Sequence, residues 1–127
     1  MLIDVVDDAE FAITERNFRV IGRLHIGKGI RERGNPGYPD YEVIMFCSLT
    51  YAEQMFDLDP GMVNFCPMKV TIRDTGKEVV IATPLLPENF ANDRMNKVTA
   101  KINRQLREIV EFARKDWLEL YEKQQKP

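Results

Sequence analysis

The sequence predicts an α+β fold: about four strands with helices against them, and a long helix at the C-terminal end. Three observations carry this expectation. In VNFCPMKVTIRDTGKEVVIATPLL a strand, the Asp74-Thr75-Gly76 turn and a returning strand follow one another, which is the pattern of a β-hairpin. Phe18, Val20, Gly22, Leu24 and Ile26 alternate with Arg19, Ile21, Arg23 and His25, the two-residue period of a half-buried strand. From about Phe90 to Lys123, Met95, Val98, Ile102, Leu106, Ile109 or Val110, Ala113, Trp117 and Leu120 or Tyr121 recur at three- and four-residue steps without a proline, which marks a helix. With 127 residues and 44% hydrophobic side chains, residues 1–127 make one domain with a single core.

The elements follow in order. Asp4 to Arg16 reads as a short amphipathic helix. Val5, Val6, Ala9, Ala12 and Ile13 form its apolar face, and Asp7, Asp8 and Glu10 favour its positive N-terminal end. Asn17 ends it, and the strand FRVIGRLHI begins. GNPGYPD, Gly34 to Asp40, is the turn-rich loop, and GKGIRERG before it is read as a solvated loop. Tyr41 to Cys47 is too short and too apolar for a surface helix and suits a central strand. Ser48 or Thr50 then caps a helix with Leu49, Ala52, Met55 and Phe56 on one face, stopped by Asp57 to Gly61. Pro67 has no amide to donate, so there the first hairpin strand is at an edge, at its own beginning, or bulged. A C-terminal helix of this length approaches 50 Å, whereas strands of these lengths span about 20 to 30 Å. Its apolar stripe therefore outruns the sheet, and a homodimer covering Trp117, Leu118, Leu120 and Tyr121 is the expected remedy.

Charge narrows the function. Lys and Arg total 18 against 20 Asp and Glu, a net charge of −2, so no long-range field draws the chain to nucleic acid or to an anionic membrane. MLIDVVDDAEF has no basic n-region and only a brief apolar stretch, so neither a secretory signal nor a membrane span is expected, and the cytoplasm is the expected compartment. The two cysteines, Cys47 and Cys66, are then expected as reduced thiols rather than a structural disulfide.

Each cysteine closes an apolar, strand-like run, in EVIMFC and VNFC, so the fold can bring them to one place. Three readings stay open: small buried hydrophobes at strand ends, a thiol site using a carried sulfur or a reversible disulfide, or a metal site. The thiol site needs a lowered pKa, which the start of the helix after Cys47 would favour. The metal reading is the weakest, because two Cys and one His carry no C-x-x-C or H-E-x-x-H arrangement; no metal and no cofactor is expected. His25 is the one histidine and hence the proton-transfer candidate beside Cys47 and Cys66, its alternative being a solvent-facing strand residue near Arg19 and Arg23. Lys28, Arg31 and Arg33 cluster near Gly27, Gly29 and Gly34, but the spacing is not that of a phosphate-binding loop. Tyr51, Met55 and Met68 join the cysteines as the expected lining of a small-ligand pocket, with core filling as their alternative.

The order of elements, with FRVIGRLHIGKGIRERG, VIMFCSLTYAEQMF and PGMVNFCPMKVTIRDTGKEVVIATPLLP, resembles the domain-of-unknown-function family 302 over roughly Asn17 to Pro87. Members often show a Cys-Asn-Pro-like segment at the first cysteine and a Leu-Pro-Cys-Asn-like segment at the second, so Cys47 and Cys66 fall on the family's cysteine positions. Arg23-Leu24-His25 stands where many members carry Ile-Asp-His, and Ser48-Leu49 where many have Asn-Pro. The resemblance implies a twisted antiparallel sheet backed by helices, similar to the TATA-binding-protein-like fold and often dimeric. It implies no established reaction. Two functions remain: a dimeric binding or accessory protein with a pocket near Cys47 and Cys66, and a thiol-dependent sulfur-transfer or redox protein using the same pair.

Overall fold

A computed structural model describes residues 1–125, with side chains through Arg114. The order is α1 (Leu2–Glu15), β1 (Arg19–His25), α2 (Ile26–Glu32), β2 (Tyr41–Cys47), α3 (Leu49–Leu58), a 3-10 helix (Pro60–Phe65), β3 (Met68–Asp74), β4 (Val79–Ala82) and α4 (Asp93–Gln125). The strands form one antiparallel sheet in the order β1-β2-β3-β4. Alternation turns Ile44 and Phe46 of β2 and Met68, Val70 and Ile72 of β3 to one face. That face forms the core with the apolar stripes of α1 and α4, Val6, Ala9 and Ile13 from the first and Met95, Ile102, Leu106 and Ile109 from the second. Tyr41, Val43, Met45 and Cys47 turn to the other face and are half-buried.

Strand β1 departs from simple alternation. Val20 faces Phe46, but Gly22 faces Met45, so Ile21 is an extra residue in a β-bulge. Past the bulge the faces exchange. Arg23 lands opposite Ile44 on the helix side, where it pairs with Glu10 and Asp7 of α1, while Leu24, expected on the buried side, is exposed.

Helix α1 ends as expected. Asn17 takes the left-handed conformation, φ 64°, and the Phe18 amide returns to the Ile13 carbonyl at 3.3 Å. GKGIRE is not a loop but helix α2. Arg31 staples the following loop to it, bonding Asp40 at 2.7 Å and the Tyr38 carbonyl at 2.8 Å.

Ser48 caps α3, its Oγ accepting from the Tyr51 amide at 3.3 Å. Leu49, expected on the apolar face, is 81% exposed; Ala52 and Met55 are the buried residues. Val63, Asn64 and Phe65, expected in the hairpin, belong instead to the 3-10 helix, which Asp59 nucleates by accepting from the Gly61 amide at 2.8 Å ahead of Pro60. Cys66 therefore ends a helical turn, and β3 begins just past Pro67. Helix α4 begins at Asp93 rather than Phe90, because the Asn92 side chain accepts from the Arg94 and Met95 amides at 2.8 and 3.3 Å. The side chains of Trp117, Leu118, Leu120 and Tyr121 lie outside the described residues.

Candidate functional site

The two cysteines meet where β2 ends and β3 begins. Antiparallel pairing sets Phe46 against Met68, so the residue after Phe46 and the residues before Met68 are neighbours. There Cys66 and Cys47 come close enough to influence each other electrostatically; both cysteines are half-buried and free. Burial pushes the Cys66 thiol up from its ordinary pKa, and the neighbouring Cys47 adds to the shift. The Cys66 thiol is thus held protonated, opposite to the lowered value that nucleophilic use requires.

The shift sets a pH dependence. A group whose folded pKa is raised contributes stability below its unfolded pKa and loses it as pH climbs through the folded one. Stability should therefore be flat near neutrality in this respect and fall in the alkaline range. Cys66→Ala should flatten the alkaline limb of a urea-midpoint profile; an unchanged limb would contradict the assignment.

Beside Cys47 lies an open hollow of about 530 Å³, with Arg19, Val20 and Ile21 on one side and Ser48, Leu49 and Thr50 on the other. Of the residues expected around a pocket, Cys47 lines this hollow, whereas Cys66, Tyr51, Met55 and Met68 do not. Met55 and Met68 are in the core, and Tyr51 is half-buried with its ring 6.1 Å from that of Phe18. A smaller hollow of about 220 Å³ lies near Met68, between Phe65 and Pro67 and the Pro84–Leu86 segment.

His25 stands apart. It ends β1 at the opposite end from Arg19, about 20 Å away at strand rise, and its Nδ1 lies 2.5 Å from the Glu42 carboxylate. The pair follows from the bulge-shifted register, which sets His25 opposite Glu42. His25 therefore does not join the thiols, and among the described residues no three His, Cys, Asp or Glu side chains are grouped to hold a metal. Arg31 of the basic cluster is committed to the loop it staples. Sequence reasoning missed Arg19 as a site residue. It sits directly opposite Cys47 across the β1–β2 ladder, a neighbour that only the register reveals.

These features define a four-stranded antiparallel α+β domain with a paired-thiol end and, among its described residues, no helix long and apolar enough to cross a membrane. The family model described as "Domain of unknown function DUF302" matches residues 2–113, and the chain belongs to that family. The match takes in α1 and most of α4 as well as the Asn17–Pro87 span. The fold is also that of an uncharacterized conserved DUF302 protein from Bacillus stearothermophilus in its crystal structure. The TM-score is 0.78 at 14% identity, over 89% of this chain and 91% of that one. No curated protein matches.

Proposed function

We propose that the chain is a small binding or accessory protein whose ligand site is the hollow at Cys47, and that it works as a homodimer joined through the distal part of α4. The hollow itself carries the reading. Its volume suits a small molecule, Val20, Ile21 and Leu49 supply apolar wall, and Arg19 has no ion-pair partner among the described residues. Octanoate, an apolar tail with one carboxylate, is a fitting probe. On titration, amide shifts should concentrate at Asn17–Ile21 and Cys47–Thr50; scattered or absent shifts at millimolar octanoate would sink the reading. The dimer rests on the length of α4, about 50 Å at helical rise, and on the apolar Trp117, Leu120 and Tyr121 near its end. Light scattering should give twice the chain mass at micromolar concentration, and a monomer mass would refute it. Free thiols suit a reducing cytoplasm.

A second reading, thiol-dependent redox or sulfur transfer, is favoured by one observation: the β2–β3 register brings two free cysteines, Cys47 and Cys66, to the same end of the sheet. Mass spectrometry of natively purified protein tests it. A persulfide, or the reversible loss of two hydrogens at this pair, would support it. Slow, denaturant-dependent labelling with no adduct would leave the binding reading alone.

A further inference from the structure

Arg19 and Cys47 form a directly opposed antiparallel pair, so their side chains share the outer sheet face with Cβ atoms about 5 Å apart. Both line the open hollow, whose apolar wall includes the 81% exposed Leu49. Arg19 is exposed and, like Arg33, Arg73, Arg94, Arg104 and Arg107, holds no carboxylate among the described residues; of these it is the one that lines the hollow at Cys47. A cation with no anion, a thiol beside it and a second thiol behind it form an asymmetric arrangement. Cys47 faces incoming molecules, while Cys66 packs partly against the core.

We propose that Cys47 exchanges with small disulfides bearing carboxylates, that Arg19 receives their negative charge, and that Cys66 completes the exchange. The proposal rests on the thiol reading of the site. In the first step the Cys47 thiolate attacks one sulfur of the small disulfide, forming a Cys47–S–S–R bond and releasing one RS⁻. In the second, Cys66 loses its proton and attacks the Cys47 sulfur; the Cys47–Cys66 bond forms and the second RS⁻ leaves. Two protein thiols are oxidised to one disulfide, one small disulfide is reduced to two thiols, and the two protons released by the protein end on the leaving thiolates. Because burial and the neighbouring Cys47 raise the Cys66 pKa, the second step should speed up as pH rises.

The experiment incubates the reduced full chain with glutathione disulfide, which carries carboxylates, and separately with neutral hydroxyethyl disulfide, following intact mass and peptide maps. Expected are an adduct at Cys47, then a Cys47–Cys66 disulfide, and in Cys66→Ser an adduct that persists. Cys66→Ala, checked by circular dichroism, replaces the serine variant if that one misfolds. The rate preference for the anionic disulfide should fall about 2- to 5-fold in Arg19→Gln, as for one exposed ion pair, and should fall with added salt. An unchanged preference in Arg19→Gln overturns the role of Arg19 and leaves the thiol reading standing. Absence of any adduct on the folded chain, when the urea-unfolded chain reacts, overturns the thiol reading and the proposal with it.

Discussion

Asn103→Ala should destabilise the fold by about 2–5 kcal/mol, a large part of the 5–15 kcal/mol typical of a domain. Asn103 is 1% exposed on the core side of α4. Its Oδ1 accepts from the Leu86 amide at 2.8 Å, and its Nδ2 donates to the Leu86 carbonyl at 2.9 Å and to the Glu88 carboxylate at 2.7 Å. Leu86 lies in the segment that crosses from β4 to α4 without regular structure, so no strand or helix partner takes over those two backbone groups. Removing the amide leaves a buried donor and a buried acceptor bare, each costing about 1–3 kcal/mol, and adds a small cavity. Asn103→Asp should fare no better, since a carboxylate cannot donate to the Leu86 carbonyl and would face Glu88. Urea denaturation at unchanged m-value measures the loss. A midpoint shift worth under about 1 kcal/mol would mean that the crossing segment reorganises and the clamp is dispensable.

The same device is used twice. Two turns earlier on α4, the Asn96 side chain accepts from the Phe90 amide at 2.8 Å and donates to the Phe90 carbonyl at 2.9 Å. Two asparagines seven residues apart thus stand in for a neighbouring strand, holding the 86–90 segment against the helix. Hydrogen exchange at the Leu86 and Phe90 amides should accelerate selectively in the corresponding Asn→Ala variants.

This clamp shows where sequence reading stops. The α4 stripe was legible because Met95, Ile102, Leu106 and Ile109 repeat at helical period, and each is buried. Asn103 lies on the same buried side, but apolar periodicity counts it as an interruption. Its value depends on a backbone passing opposite, which only the tertiary fold supplies. The hairpin was legible for a local reason: Asp74 accepts from the Gly76 amide and Thr75 from that of Glu78, and Gly76 takes a positive φ of 88°. The β1 bulge had no local signal. FRVIGRLHI alternates cleanly in sequence, and one unpaired residue moved Arg23 and His25 to the helix side of the sheet. Arg19 beside Cys47 follows from the same ladder, and for that reason escaped notice.

GKGIRE poses the sharpest contrast, because its two glycines look alike in sequence and should respond to alanine with opposite signs. A Cβ built at Gly27 would lie 2.2 Å from the Pro39 carbonyl oxygen and 2.8 Å from both Asp40 Cα and Tyr41 N. All three are backbone atoms entering β2, so no side-chain rotation relieves the overlap. Nor can the loop yield freely. Arg31 ties it to α2 through Asp40 and Tyr38, and the Asp40 carbonyl accepts from the Asp74 amide at 3.0 Å. Gly27→Ala should therefore cost about 3 kcal/mol, the upper end of ordinary overpacking. A Cβ at Gly29, on the same short helix, meets nothing within 4 Å. Gly29→Ala should stabilise by about 0.5–1 kcal/mol, by restricting the unfolded chain and favouring helix. Thermal melts of the two variants, run beside the parent, decide the matter. If both move the midpoint in the same direction, α2 does not seat its first glycine against the Pro39–Tyr41 backbone, and the packing that fixes the start of β2 is wrong.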